Sequence, residues 1–478
     1  MQTADLTDVT GQVLAKIAPT EDDRSKMQAL AKKLELAVSA ACEEFGVEAV
    51  VRVEGSFAKD TWLLGDPDID VFMRVSPSIP RQYLGEVALK IARKATAGSK
   101  QVERFAEHPY LEAFVDGVRV NIVPCYNAKP GEWLSATDRT PYHTDYINER
   151  LAKAQRNEVR LLKKFLKGLG VYGAEIKVGG FSGYLCELLV LHYGSLAKVL
   201  QAFAAHVPRR TVDLAGYYVS RQRELDLLFP EPLVIVDPVD RARNVASAVL
   251  PSRLFEFVAA SRAFLKDPNL DFFYPLKVHP LSVEELQSTL RSRGSSVVFL
   301  ALEKIEAVPD VLWGQLHRTR KALGKQLELS DFRVLRDGVW SEENGALTVF
   351  VYELEQRVLS SVKKHLGPPL EFREECESFL AKYSEKNSAV VTGPFIEGGR
   401  WMVELERKST DAADFLRGKL ASGGRDIGVA ELIAKALRRD FLVLVGDEIT
   451  EHFAYNREFA EFLTAFLGGK PFWLETKC

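Results

Sequence analysis

The sequence predicts an α+β, multidomain fold, and three observations carry that prediction. Its 478 residues exceed what one core usually organises, so about three domains are expected. Apolar residues alternate over Val47 to Val53 and over Val118 to Val123, the period of a strand, whereas Met27, Leu30, Ala31, Leu34 and Val38 recur at helical spacing. Beyond about residue 261 the character changes, but strand-like and helix-like stretches still intermix. A net charge of −3 gives no global nucleic-acid signature, so an RNA site would have to be a local basic patch. Cys42, Cys125, Cys186, Cys376 and Cys478 are scattered and odd in number, which argues against a disulfide framework or a zinc site and fits a reducing, cytoplasmic location. The polar N-terminus is no signal peptide, and no apolar run reaches membrane-spanning length, so no membrane partner is expected.

Taken in order, Pro19, Thr20 and Glu21 open the first predicted helix, with Gly46 after its end. The strand from Val47 runs into Gly55 and Ser56, and the stretch to Leu64 reads as a short helix. Such a turn presents backbone N–H groups, the Ser56 hydroxyl and Lys59 at a helix start, which is a phosphate cradle. Ile69, Val71, Phe72 and Met73 then make a strand on which Asp68 and Asp70, two residues apart, share one face. Two such carboxylates stay ionised beside each other when a cation lies between them, and hard oxygen donors suit Mg²⁺. A carboxylate pair beside a phosphate cradle is what phosphoryl or nucleotidyl transfer requires. Pro77 and Pro80 break the pattern, and Tyr83 to Ala97 reads as a second amphipathic helix on the same sheet.

The segment GSFAKDTWLLGDPDIDVF resembles the signature of the DNA polymerase beta nucleotidyltransferase superfamily. It is specifically similar to the archaeal-type (class I) CCA-adding enzymes, the tRNA nucleotidyltransferases, and later segments extend the likeness over nearly the whole chain. The resemblance implies a nucleotidyltransferase head (mixed sheet with helices) over 1–148. A helical, nucleotide-binding neck over 149–262 and an α+β body and tail over 263–478 would follow. It further implies template-independent addition of C, C and A to the tRNA 3′ end from CTP and ATP, with Mg²⁺ on Asp68, Asp70 and a third carboxylate. In V-N-I-V-P-C-Y that third position is held by Asn121. Asn is nearly isosteric with Asp but carries no charge for a metal and cannot take a proton from a 3′-hydroxyl, so chemistry would slow while binding persists. Three explanations compete: a deliberate Asp to Asn change that traps a substrate complex, a degenerate site, or a carboxylate shifted to Asp116 or Glu112. Asp116 is five residues away, on the opposite strand face, which disfavours the third, and the intact surrounding motif favours the first.

Nucleotide contacts are expected from Gly55, Ser56, Lys59 and His108 in the head, and the resemblance adds Thr140 and His143 from SATDRTPYH, where the residues alone suggest a helix cap and a proline turn. Asn148 to Lys167 reads as one helix with Val159, Leu161, Leu162, Phe165 and Leu166 inward and Arg160, Lys163, Lys164 and Lys167 mostly outward. The likeness carries Lys163 to the triphosphate and Tyr172 to the nucleotide, with Ser182 and Tyr184 as further candidates; the glycines around them equally suit an interdomain turn. Val234 to Val249 reads as a strand, a polar turn and a helix start. That pattern places Arg243 and Asn244 where side chains could reach into a cleft as nucleotide contacts, and the likeness turns Arg243 to the nucleotide, although the same spacing permits an Arg243 pair with Asp237 or Asp240.

In the last part, strands are expected at Ser296 to Leu302, Ala346 to Tyr352 and within Thr392 to Lys408, and helices at Trp313 to Lys325, Glu371 to Tyr383, Asp411 to Leu420 and Ala430 to Arg439, with a break at Pro368 and Pro369. The family's body and tail grip the tRNA acceptor stem and T-loop. Arg291, Arg293, Arg318, Arg320, Lys321, Arg400, Arg407 and Lys408 are candidate phosphate contacts, each of which reads equally as an ordinary surface charge. No coiled-coil heptads argue for a homodimer, which the sequence leaves open. Two rival functions stand beside CCA addition: a related poly(A)-type or CC-only terminal nucleotidyltransferase, and a non-catalytic tRNA-binding protein on the same fold.

Overall fold

In the computed structural model, residues 5–105, 109–205, 207–303, 305–343, 346–383 and 388–474 are described. They form two compact units, residues 1–276 with 471–478, and residues 277–470.

The first unit has two cores. Helix α1 (Leu6–Ile17) is followed by α2 (Glu21–Glu44), β1 (Ala49–Glu54), α3 (Gly55–Ala58), β2 (Asp68–Val75), α4 (Arg81–Ala95), β3 (Lys100–Phe105), β4 (Pro109–Val115) and β5 (Val118–Tyr126). A capping box starts α2, in which the Thr20 hydroxyl accepts from the Asp23 N–H and the Asp23 carboxylate accepts from the Thr20 N–H. The five strands lie in the order β1-β2-β5-β4-β3; β2 and β5 run parallel and the other pairs antiparallel. Ile69, Val71, Met73, Val120 and Ile122 share the sheet's core with Leu34 and Val38 of α2 and Leu84 and Ile91 of α4. Strand β5 runs past Pro124 to Tyr126, two residues beyond the expected end.

The second core belongs to α5 (Thr140–Arg150), α6 (Lys153–Gly168), α7 (Gly183–Tyr193), α8 (Leu196–Ala204) and α10 (Pro251–Lys266). Between α8 and α10 lie β6 (Arg210–Asp213), α9 (Gln222–Leu228), β7 (Leu233–Asp237) and β8 (Asp240–Asn244), whose strands form a sheet in the order β6-β7-β8. Helix α1, absent from the sequence reading, packs Val9, Val13 and Ile17 into this helical core rather than against the head's sheet. The helix expected from Asn148 to Lys167 is two, because the chain turns extended at Leu151 and Ala152 between α5 and α6. Arg160 and Lys163, expected mostly outward, are buried. Residues 240–244 form a strand where a turn and helix start were expected.

In the second unit, α11 (Val283–Ser292), β9 (Ser296–Glu303), α12 (Pro309–Leu329), β10 (Val334–Ser341) and β11 (Leu347–Leu354) precede β12 (Val362–Pro369), α13 (Arg373–Lys382), β13 (Val390–Glu397) and β14 (Arg400–Glu406). Helices α14 (Ala412–Leu420) and α15 (Glu431–Leu437), strand β15 (Leu442–Val445), and helices α16 (Thr450–Tyr455) and α17 (Arg457–Gly468) complete it. The order β10-β11-β9-β15 puts β9 inside a sheet covered on both faces. Its Val298, Leu300 and Leu302 meet α12, α14 and α15, while Val297, Phe299 and Ala301 meet α11 and α17, which is why VVFLAL is unbroken by polar residues. The residues 392–408, expected as a turn and one strand, form the β13–β14 hairpin, and Pro368 and Pro369 end β12.

Arg160 holds the loop after α3. Its guanidinium donates to the carbonyls of Trp62 at 2.9 Å and Asp60 at 2.6 Å and to Asn157 at 2.8 Å, and Asp60 sits at φ +48°. Arg160→Ala would leave these buried acceptors without donors, so unfolding in urea is expected to show a loss of about 3 kcal/mol or more.

Candidate active site

The site begins where β1 ends. Gly55 adopts φ +74°, and a Cβ there would stand 2.1 Å from Asp70 Oδ2. Only glycine lets the backbone turn this close to the carboxylate. The turn delivers the Ser56 hydroxyl to Asp68 Oδ1, to which it donates at 3.0 Å. Asp68 and Asp70 share a face of β2, while Ile69 between them is buried on the other. Lack of surrounding water, and then the charge of Asp68, push the Asp70 carboxyl up to about 7. Arg119 of β5, opposite Asp68 in register, lies 3.5 Å from Asp68 Oδ2 and 3.9 Å from an Asp66 oxygen.

Asn121 is the register partner of Asp70, and its amide Nδ2 donates to Asp70 Oδ1 at 2.8 Å. Glu112 stands across from Asn121 on β4. Its carboxylate, however, accepts from Arg104 at 2.8 Å and is turned toward β3. Asp116 is in the two-residue β4–β5 turn at φ +50°, rather than on a strand face. Among the described residues no three His, Cys, Asp or Glu side chains are grouped to hold a metal ion. Two carboxylates on one face that repel each other nonetheless suit one divalent cation.

Next to the pair lies a cleft of about 260 Å³, lined by Ser56, Lys59, Asp68, Lys163, Tyr172 and Tyr184 among others. Lys59 follows α3 and pairs with Glu187 of α7 at 2.5 Å. The Thr61 hydroxyl donates to the same carboxylate at 2.6 Å, and Lys163 of α6 donates to the Thr61 carbonyl at 3.0 Å. Burial pulls the Lys163 ammonium below the ordinary lysine range, against the opposing pull of Glu187. Burial alone would raise the Glu187 carboxyl, but Lys59 and Lys163 together hold it below the usual range. Lys167 pairs with Asp66 at the rim and lies 5.2 Å from the centre of the Tyr172 ring.

A second cluster adjoins Tyr184. The His143 ring stacks on Tyr184 with centroids 4.0 Å apart, and its Nε2 meets Asp237 Oδ2 at 2.9 Å. Arg243 donates to the same oxygen at 2.7 Å, so the Asp237 pairing permitted by the sequence spacing is realised. Burial holds the His143 ring below the ordinary histidine range, against the opposing pull of Asp237. Tyr184 belongs to both groups, since Lys59 lies 5.5 Å from its ring centre.

The structure therefore brings Gly55, Ser56, Lys59, Asp68, Lys163 and Tyr172 to one cleft, with Asp70 and Asn121 beside it and His143 and Arg243 linked through Tyr184. Asn244 is not brought there. It is buried, accepting from the Ile235 and Ala246 N–H groups and donating to the Leu233 carbonyl, which fastens the end of β8. Ser182 caps α7 by accepting from the Leu185 N–H. Thr140 opens α5, one turn before His143. His108 lies outside the described residues. Sequence reasoning missed Thr61, Arg119 and Glu187; a single acid inside the apolar run of α7, LCELLVL, was the readable signal for the last. Of the basic residues in the second unit, Arg291, Arg293, Arg320 and Arg407 are paired with Asp447, Glu353, Asp337 and Asp331, whereas Arg318, Lys321 and Lys408 are exposed.

Three family models match the chain: "Nucleotidyltransferase domain" over 34–143, "tRNA nucleotidyltransferase, second domain" over 157–274, and "CCA-adding enzyme, C-terminal domain" over 293–446. The CCA-adding enzyme of Methanothermobacter thermautotrophicus is 37% identical over 459 residues, 95% of this chain and 97% of the relative. That of Methanosarcina barkeri is 38% identical over 413 residues, covering 86% and 88%, and that of Pyrobaculum aerophilum 38% over 434 residues, covering 89% and 96%.

Substituting Gly55→Ala forces a left-handed backbone on an L-residue and drives its Cβ into Asp70. Nucleotide addition is expected to fall at least about 100-fold in a single-turnover assay, with about 1–3 kcal/mol of stability lost.

Proposed function

The chain belongs to the archaeal-type CCA-adding enzymes, and from that premise we propose that it adds C, C and A to the 3′ end of tRNA, using CTP and ATP without a template. The observation that carries this reading is the juxtaposition, within 459 residues of family likeness, of the Asp68–Asp70 pair with a cleft lined by lysines and tyrosines. In this scheme the head over 1–148 and the neck over 149–262 share the nucleotide, and the body and tail over 263–478 hold the acceptor stem and T-loop end.

The tRNA 3′-hydroxyl attacks the α-phosphate in line and pyrophosphate leaves. Ser56, the backbone N–H groups that open α3, Lys59 and Lys163 receive the triphosphate, and Tyr172, His143 and Arg243 the rest of the nucleotide. Asp68 and Asp70 would hold Mg²⁺, which when bound lowers the hydroxyl pKa and neutralises charge building on the phosphate. The Asn121 amide donates to Asp70 and has no site to accept the hydroxyl proton, so it slows this step without closing the cleft. With no template, base choice falls to donors and acceptors between head and neck, where Arg243 offers a planar fork. Arg318, Lys321 and Lys408 are the exposed cations best suited to RNA phosphates. No helix among the described residues is long and apolar enough to cross a membrane.

Incorporation of labelled CTP and ATP into tRNA lacking its terminal CCA tests the reading. The Asn121→Asp form is expected to exceed the present chain at least about 100-fold at equal Mg²⁺, because a carboxylate regains the proton and the metal. Addition of A residues alone, or of C residues alone, would instead favour a poly(A)-type or CC-only enzyme. Tight tRNA binding with no addition by either form would leave a non-catalytic binding protein.

A further inference from the structure

We propose that Glu187 is the positioning residue of the triphosphate end of the cleft, holding Lys59 and Lys163 side by side as a paired grip for phosphate. The inference rests on reading this cleft as the nucleotide site, and deepens it by naming what arranges its cations.

Lys59, Lys163 and Glu187 are 5%, 2% and 0% exposed, so none of the three charges is solvated in the ordinary way. Two ammonium groups so placed repel each other and lack water, and an arrangement of this kind survives only if an anion lies between them. Glu187 supplies it with both oxygens: Oε2 pairs with Lys59 at 2.5 Å, and Oε1 lies 3.7 Å from Lys163. Thr61 completes the frame, donating to Oε1 at 2.6 Å while its hydroxyl and carbonyl accept from Lys163 at 3.1 and 3.0 Å. Two cations and one anion leave a single surplus positive charge, on the wall of a cleft that also presents Ser56 and Tyr172. Each ammonium has three donors. Lys59 gives one to Glu187 and Lys163 gives two to Thr61, so both keep donors for an incoming anion.

The arrangement also spans the two cores. Lys59 and Thr61 follow α3 in the head, whereas Lys163 and Glu187 stand on α6 and α7 of the neck. Glu187 does not itself need to touch substrate; it sets where the two cations stand.

The test is titration of the full chain, without tRNA, by CTP and by CMP, comparing it with Glu187→Gln, which keeps an acceptor for Thr61 but removes the charge. In the Gln variant CTP affinity is expected to drop at least about tenfold while CMP affinity changes less than about twofold. In turnover by the Asn121→Asp form, adding Glu187→Gln should raise KM for CTP more than it lowers kcat. Glu187→Asp, which retains the charge, should restore most of the CTP preference, and it carries the comparison if the Gln variant does not fold. Equal weakening of CTP and CMP would show a merely structural role and overturn the proposal, as would unchanged binding of both. Failure of the unaltered chain to bind CTP at all would overturn the reading of the cleft itself.

Discussion

A carboxylate buried in an apolar helix cannot stand alone, and in this chain the demand of Glu187 for counter-charge organises the meeting of head and neck. Glu187 is the only acid in helix α7, and its buried neighbours there are Leu185, Cys186, Leu188, Leu189 and Val190. Satisfying it draws Lys59 and Thr61 from the loop after α3 and Lys163 from α6, which fixes the floor of the cleft. The loop is in turn pinned by Arg160, whose donors hold the carbonyls of Asp60 and Trp62. Burying charge is costly unless it is paired and hydrogen-bonded. Here the cost falls on the wall of the cleft, so the pairing that makes the core tolerable also arranges the cleft's lining.

The carboxylate side follows a different constraint, strand register. Parallel pairing of β2 with β5 sets Asp70 against Asn121 and Asp68 against Arg119, and antiparallel pairing with β4 brings Glu112 opposite Asn121. Register alone would therefore offer a replacement carboxylate. Arg104 takes it instead, so Glu112 does not join the pair on β2. What remains at position 121 is a donor to Asp70, a hydrogen bond that offsets the charge of that carboxylate without supplying another.

Much of this was readable from residue order. Strand period and the G-S…D-x-D spacing located β1, β2 and the start of α3 to within a residue or two, because local pattern determines them, whereas α3 ends at Ala58 and not at Leu64 as expected. The cleft residues Ser56, Lys59, Lys163 and Tyr172 followed from motif spacing and likeness. What escaped reading was long-range. Arg160 and Lys163 fall among the polar positions of an amphipathic helix, and only partners 100 residues away, on the α3 loop, explain their burial. Asn244 reads as a cleft residue because it follows Arg243, yet hydrogen bonds to β7 backbone retain it in the core. Helix α1 was missed because its buried stripe is only Val9, Val13 and Ile17, faint until α6 is there to receive it.

That first helix has a mechanical meaning. The chain begins on the neck core at Val9, passes to the head core at Met27, and returns from Trp133 in the head to Ile147 in the neck. The head is thus suspended from the neck by two covalent crossings instead of one. A body hung at a single point can swivel freely, whereas two points define an axis and suppress twisting about any other. Any movement of the head against the neck is thereby confined to a swing about the line through those two crossings.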